Sequence, residues 1–291
     1  MIPGSHVAIV TPMHPSGEID FESFSGLLEW HIEAGTSGIV VLGTTGEAPT
    51  ITDAERVELI ETAVANVAGR VPVIVGTGTN CTRDTIQYTQ MADELGADAC
   101  LIVTPYYNKP TQEGMFQHFS VVAESTDIPQ ILYNVPGRTG CDIHPDTVIR
   151  LSALPNIIGI KDASGDLSRV QKILQSSPEF LLLTGNDDNT VAFMEQGGHG
   201  VISVVANIAP ELLAQMVQCG LRGDFAAAHA IDAKLRALHA ALFLEANPIP
   251  VKWLLAEMDV ISEGIRLPLT PLNEKFHEAV RSATIAAGLG N

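Results

Sequence analysis

Short runs of β-branched and apolar residues alternate along the chain with stretches whose apolar positions recur every three or four residues. The runs are His6 to Pro12, Gly38 to Glu47, Val71 to Thr79, Ala99 to Tyr107, Pro129 to Pro136, Ile157 to Ser164, Phe180 to Asp187 and Gly200 to Asn207. They start 20 to 33 residues apart, and each ends among Gly, Thr, Asn or Pro. The stretches between them predict helices. One opens at Thr52-Asp53 with Glu55 in its first turn and carries Val57, Ile60 and Val64 at helical spacing. Another runs from Asp84 past Ile86 and Met91 to Leu95, where Gly96 closes it. Uninterrupted apolar strands that alternate with helices belong to a parallel sheet covered on its outer face. Eight such units fit an α/β fold of the TIM (β/α)8 barrel type. A doubly wound open sheet ranks second. It would usually have fewer strands and a glycine-rich turn after the first, whereas Val10 is followed by Thr11-Pro12-Met13-His14.

Beyond Asn207 the strand pattern stops, and residues from about 210 to 291 read as helices only. The spacing predicts helices over Phe225 to Leu244, Ile249 to Met258 and Leu272 to Gly288. The first falls in the region of the eighth barrel helix, and the others form a C-terminal helical appendage. The domain division expected is a barrel over residues 1–224 and a helical region over 225–291 packed on it.

Composition narrows the function classes. The 291 residues are 46% apolar, with mean hydropathy +0.20, enough for a sizeable core. A formal charge of −18 opposes nucleic acid and anionic membrane surfaces as partners. No apolar run approaches the roughly 18 residues of a membrane span. Met1 to His6 has no basic region ahead of an apolar stretch, so a signal peptide is not expected and the cytoplasm is. Cys81, Cys100, Cys141 and Cys219 are far apart and read as free thiols.

In a barrel of this kind, chemistry sits at the C-terminal ends of the strands. Those ends present Thr44, Thr45 and Glu47, then Tyr106, Tyr107, Asn108 and Lys109. After them come Tyr133, Asn134 and Arg138, then Lys161 and Asp162, then Asn186, Asp187 and Asp188. Of six lysines only Lys161 lies within an apolar strand. Alternation puts Ile157, Gly159 and Lys161 on the barrel-interior face and Ile158 and Ile160 on the helix-facing side. Gly159 is expected to leave space beneath the lysine. Desolvation there favours the neutral amine, which attacks carbonyl carbon. The competing structural reading is an ion pair of Lys161 with Asp162 or Glu47.

A Schiff base also needs proton transfer, and Tyr133 on the neighbouring strand is the best acid/base candidate. Thr44-Thr45-Gly46 offers hydroxyls and successive backbone N–H groups to a carboxylate. Arg138 suits a bidentate hold on a second carboxylate. Other features fail. Gly76-Thr77-Gly78 leads to Cys81 where a dinucleotide turn wants glycine. Gly197 to Gly200 precedes the eighth strand, and Asp187-Asp188 opposes phosphate. The nine histidines do not cluster at strand ends, so no metal is expected.

Together these residues resemble the pyruvate-dependent class I lyases of the dihydrodipicolinate synthase and N-acetylneuraminate lyase superfamily, over the whole chain. The resemblance rests on Gly43 to Glu47, Tyr133 to Pro136 and Ile158 to Ser164. Within the superfamily, Val103 to Pro110, Arg138-Thr139-Gly140 and Asn247 to Trp253 are most similar to the dihydrodipicolinate synthase branch. The resemblance implies pyruvate on Lys161, L-aspartate 4-semialdehyde as second substrate and a place in diaminopimelate and lysine biosynthesis. No cofactor is implied. It further implies a relay of Tyr133, Thr44 and Tyr107, with Thr45, Arg138, Gly185 and Ile202 at the substrates. Tyr107 would cross a dimer interface, with the dimers usually paired into a homotetramer. Lysine-inhibited members bind the inhibitor at that interface, where Asn80 and Tyr106 match. Ala48, Arg56 and Asp84 depart, and Arg56 opposes a cationic ligand, so weak or absent inhibition is expected. The alternatives are aldolases for 2-oxo-3-deoxy sugar acids or N-acetylneuraminate, and a catalytically dead barrel that only binds ligands.

Overall fold

The computed structural model describes residues 2–290. Eight parallel strands close into a barrel in sequence order: β1 (Gly4–Ala8), β2 (Gly38–Val41), β3 (Val73–Gly76), β4 (Ala99–Val103), β5 (Gln130–Asn134), β6 (Ile157–Asp162), β7 (Leu181–Thr184) and β8 (Gly200–Ser203). The TIM barrel read from the alternation is therefore the fold. Closure leaves no sheet edge, since β8 pairs with β1 from Gly4↔Gly200 to Val7↔Ser203.

Two apolar layers explain why the strands carry no polar alternation. Ala8, Val40, Ile74, Ile131, Leu183 and Ile202 fill the barrel interior. Val7, Ile39, Val75, Leu132, Ile160 and Leu182 pack outward under the helices. Strands buried on both faces read as continuous apolar runs.

The alternation expected for β6 fails at its start. Gln130 pairs with Ile157, but the next residue, Ile131, pairs with Gly159. This irregularity spends one extra residue on β6, so Ile157 joins the outer layer and Ile158 packs on the inner one. From Gly159 onward the register is regular, and Tyr133 pairs with Lys161.

The eighth barrel helix also differs from the expectation. It is Pro210–Leu221, which packs on β1 and β8 and on the helix Thr190–Glu195. The helix Phe225–Ala241 lies outside it, against Pro210–Leu221 and the last helix, His277–Ala286. Proline at the first helical position of Pro210–Leu221 and Gly223 just past its end bound a short helix that the spacing argument passed over.

Among the described residues no helix is long and apolar enough to cross a membrane.

Candidate active site

The Gly43–Glu47 turn is held by local backbone bonds, Gly46 N–H to the Gly43 carbonyl at 3.1 Å and Glu47 N–H to the Thr44 carbonyl at 3.2 Å. Leu42 and Glu47 flank it with φ of 58° and 55°, left-handed values that cost a non-glycine residue about 1–3 kcal/mol. Gly76 makes room for this backbone, and an ion pair opposes its cost. Gly76 lies so close to the Leu42 carbonyl that any side chain there would overlap it. The buried Glu47 carboxylate forms an ion pair with buried Lys252 and accepts the Arg266 backbone N–H at 3.2 Å. Burial holds the Lys252 ammonium below the ordinary lysine range, with Glu47 opposing the shift. Thr45 is buried, and its Oγ1 accepts from Asn247 Nδ2 at 3.0 Å. Thr44, beside it, is half-buried.

Lys161 is 6% exposed, and its Nζ lies 4.3 Å from the centroid of the Tyr133 ring. Its two candidate counterions are engaged elsewhere. Asp162 accepts from Arg169 Nε at 2.8 Å and from Ser164 N–H at 2.8 Å, and Glu47 belongs to Lys252. No ion pair of Lys161 exists among the described residues. Contrary to the expectation, the space around its side chain does not come from Gly159. A Cβ at Gly159 would meet the Leu181 carbonyl oxygen at 2.5 Å and the Leu181 Cβ at 2.7 Å, so that glycine admits strand β7. Gly185 leaves the room instead: a Cβ there would lie 2.8 Å from Lys161 Cε and 2.8 Å from Ala163 Cβ.

One residue further along each strand, a polar network fixes the ends of β5 and β6. Asn134 Nδ2 donates to Asp142 Oδ1 at 2.7 Å, and Arg169 Nη1 reaches both Asp142 oxygens at 3.2 Å. Asp187 serves the next two strands. Its buried carboxylate accepts from Ser203 Oγ and from the Val204 and Val205 N–H groups at 3.0 and 3.2 Å. Asp187 also opens the 3-10 turn Asp187–Asn189, so one residue starts that turn and ties it to the end of β8.

The other sequence-derived candidates fall into three groups. Ile202, fully buried, and Tyr133, 7% exposed, line the interior with Leu183. Arg138 stands exposed above them, with Nη2 donating to the Asn247 carbonyl at 3.2 Å. Tyr107 is 89% exposed on a left-handed backbone at φ 71°. Among the described residues, no hydrogen bond joins the hydroxyls of Tyr133, Thr44 and Tyr107.

The residues matched to an inhibitor site lie beside the barrel mouth. Arg56 is buried, donates to the Gly76 and Ala48 carbonyls at 3.3 and 3.4 Å, and stacks 4.2 Å from the Tyr88 ring centroid. Burial lowers its pKa from the usual guanidinium value. Asn80 accepts from Asn108 Nδ2 at 2.8 Å through its carbonyl, and Asp84 pairs with Arg83 at 3.1 Å.

Sequence reasoning gave no role to Asn247, Lys252 or Arg266. One signal was available. Lys252 lies in the helix Ile249–Glu257, where Ile249, Val251, Trp253, Leu254 and Leu255 are all buried, so a lysine among them needs a partner.

A closed eight-stranded barrel with a buried, carboxylate-free lysine beside a tyrosine at its mouth defines the class of Schiff-base-forming lyases. The chain belongs to the dihydrodipicolinate synthetase family, whose model matches residues 1–287. It is 57% identical to the 4-hydroxy-tetrahydrodipicolinate synthase of Nitrosospira multiformis, over 99% of this chain and 96% of that one. Among solved structures it resembles the chloride-inhibited dihydrodipicolinate synthase of Acinetobacter baumannii complexed with pyruvate, with TM-score 0.97, 48% identity and coverage of 99% and 100%. The enzyme of Cyanidioschyzon merolae, solved with lysine bound, matches with TM-score 0.96, 37% identity and 99% coverage of both chains.

Proposed function

We propose that this chain condenses pyruvate with L-aspartate 4-semialdehyde to give 4-hydroxy-tetrahydrodipicolinate, the reaction for which its relatives are named, in diaminopimelate and lysine biosynthesis. The observation that carries the reading is Lys161: buried, without a carboxylate partner, facing Tyr133 across adjacent strands. Lys161 Nζ attacks C2 of pyruvate, and the carbinolamine loses one water to form the imine. Loss of a methyl proton then gives the enamine, whose carbon attacks the aldehyde carbon of the second substrate, and the aldehyde oxygen becomes the 4-hydroxyl. The amino group of that substrate displaces Lys161 by transimination, which closes the ring and returns the free amine.

Tyr133 moves the protons of these steps, with Thr44 and Tyr107 completing a relay. Thr45 binds the pyruvate carboxylate, Ile202 and Gly185 shape the wall around it, and Arg138 takes the carboxylate of the semialdehyde. Tyr107 serves the site of a second copy, which accounts for its exposure on a single chain. This reading calls for a homodimer, with a homotetramer as the further expectation, and for a cytoplasmic location. The barrel over residues 1–224 carries the chemistry, and residues 225–291 cover one side of the mouth through Asn247 and Lys252.

An assay with pyruvate and the semialdehyde, set against cleavage of 2-oxo-3-deoxy sugar acids and N-acetylneuraminate, tests the substrate assignment. Condensation well above any cleavage supports it, and the reverse order overturns it. The Arg56 guanidinium places positive charge at the matched inhibitor site. Millimolar L-lysine therefore leaves the rate within about twofold, and a micromolar inhibition constant contradicts that reading.

A further inference from the structure

The chain between the helices Phe225–Ala241 and Ile249–Glu257 brings Asn247 to the barrel mouth, where it is 5% exposed. Asn247 touches both groups assigned above to substrate carboxylates. Its Nδ2 donates to Thr45 Oγ1 at 3.0 Å, and its backbone carbonyl accepts from Arg138 Nη2 at 3.2 Å. The following helix adds a second grip on the same loop, because Lys252 pairs with Glu47, two residues past Thr45.

The direction of the Asn247 bond has a chemical consequence. A threonine hydroxyl carries one hydrogen and accepts through its lone pairs. An amide donor placed on a lone pair leaves the hydroxyl hydrogen free to point at an anion in the mouth. A carboxylate at position 247 would do the opposite, since it has no hydrogen to give and would draw the Thr45 hydrogen to itself. The Arg138 contact works by the same logic. One guanidinium nitrogen is tied to a backbone oxygen, while the rest of the fork stays free for a carboxylate.

We infer that Asn247 is a positioning residue that joins the two substrate subsites, setting the Thr45 hydroxyl as a donor to the carboxylate of the 2-oxo acid and steadying Arg138 through the backbone. The inference rests on the assignment of pyruvate to Lys161. It separates side chain from main chain: the side chain of Asn247 serves the first substrate, and its carbonyl serves the second.

The test uses the full chain and four variants, Asn247→Asp, Asn247→Ala, Thr45→Val and Thr45→Val with Asn247→Ala. Two readouts are taken: the pyruvate dependence of the borohydride-trapped adduct, and the KM of each substrate in the coupled reaction. Asn247→Ala raises the half-saturating pyruvate about tenfold, the scale of one hydrogen bond to an ion-binding group. The semialdehyde KM stays within about twofold, because that contact is made by the backbone. Asn247→Asp, which preserves shape and so tolerates folding, raises the pyruvate requirement further. In the Thr45→Val background the alanine substitution adds nothing.

An unchanged pyruvate dependence in Asn247→Asp overturns the inference, as does full additivity of the alanine and valine substitutions. Failure of the unsubstituted protein to form any adduct is a separate result, which overturns the pyruvate assignment itself.

Discussion

The chain buries two of its six lysines, Lys161 at 6% exposure and Lys252 at 4%, and they do different things. Lys252 meets the Glu47 carboxylate, which also receives the Arg266 backbone N–H. Its charge is paired, and its work is to hold the Thr44-Thr45 loop. Lys161 has the face of Tyr133 on one side and the missing side chain of Gly185 on the other. Its neighbour Asp162 is turned toward Arg169. Burial is common to both, so burial alone does not make a nucleophile. The difference lies in where the carboxylates are spent: Glu47 is committed to Lys252 and the Arg266 N–H, and Asp162 to Arg169 and the Ser164 N–H.

That comparison can be broken on either lysine. Tyr133→Phe removes the hydroxyl while keeping the ring beside Lys161, and should lower kcat by about 10²–10⁴-fold if Tyr133 moves protons. Stopped-flow kinetics that found kcat within threefold would assign the proton traffic elsewhere. Lys252→Met leaves Glu47 buried without its partner, a change that typically costs about 3–5 kcal/mol. Denaturant unfolding should show that loss, and Glu47→Gln added to Lys252→Met should recover part of it. A double variant as unstable as the single one would mean that Lys252 matters for packing rather than for charge.

A smaller effect comes from pH. Burial lowers His6 to about 4, His31 to about 3 and His118 to about 4, from the usual 6.5. Above 6.5 each is neutral in both folded and unfolded chains and contributes nothing. Below it the unfolded chain binds protons that the folded one refuses, so stability falls from pH 6.5 toward the folded values near 4 and 3. Melting temperatures should be level from pH 8 to 7 and drop by pH 5, with a shallower slope in His118→Gln. A flat profile down to pH 5 would count against neutral burial of these rings.

Much of this architecture was legible in the sequence because the strands are buried on both faces and show as apolar runs. Their ends were less so. The run Phe180 to Asp187 outlasts β7, Leu181–Thr184, since Asp187 is buried for a reason other than strand pairing. Lys161 stood out as a charge inside an apolar strand, but its space was credited to Gly159. Only the approach of Leu181 and the position of Gly185 show which glycine leaves room. Asn247 was hidden for a simpler reason. It lies 202 residues from Thr45 along the chain, and no local pattern reports a contact that the closed barrel creates.

Borohydride reduction in the presence of pyruvate reads directly whether Lys161 is the imine-forming group. Peptide mass spectrometry should find one reduced pyruvate adduct per chain, on Lys161, with none on Lys252 and none in Lys161→Ala. An adduct on another lysine, or persistence of the adduct in Lys161→Ala, would contradict it.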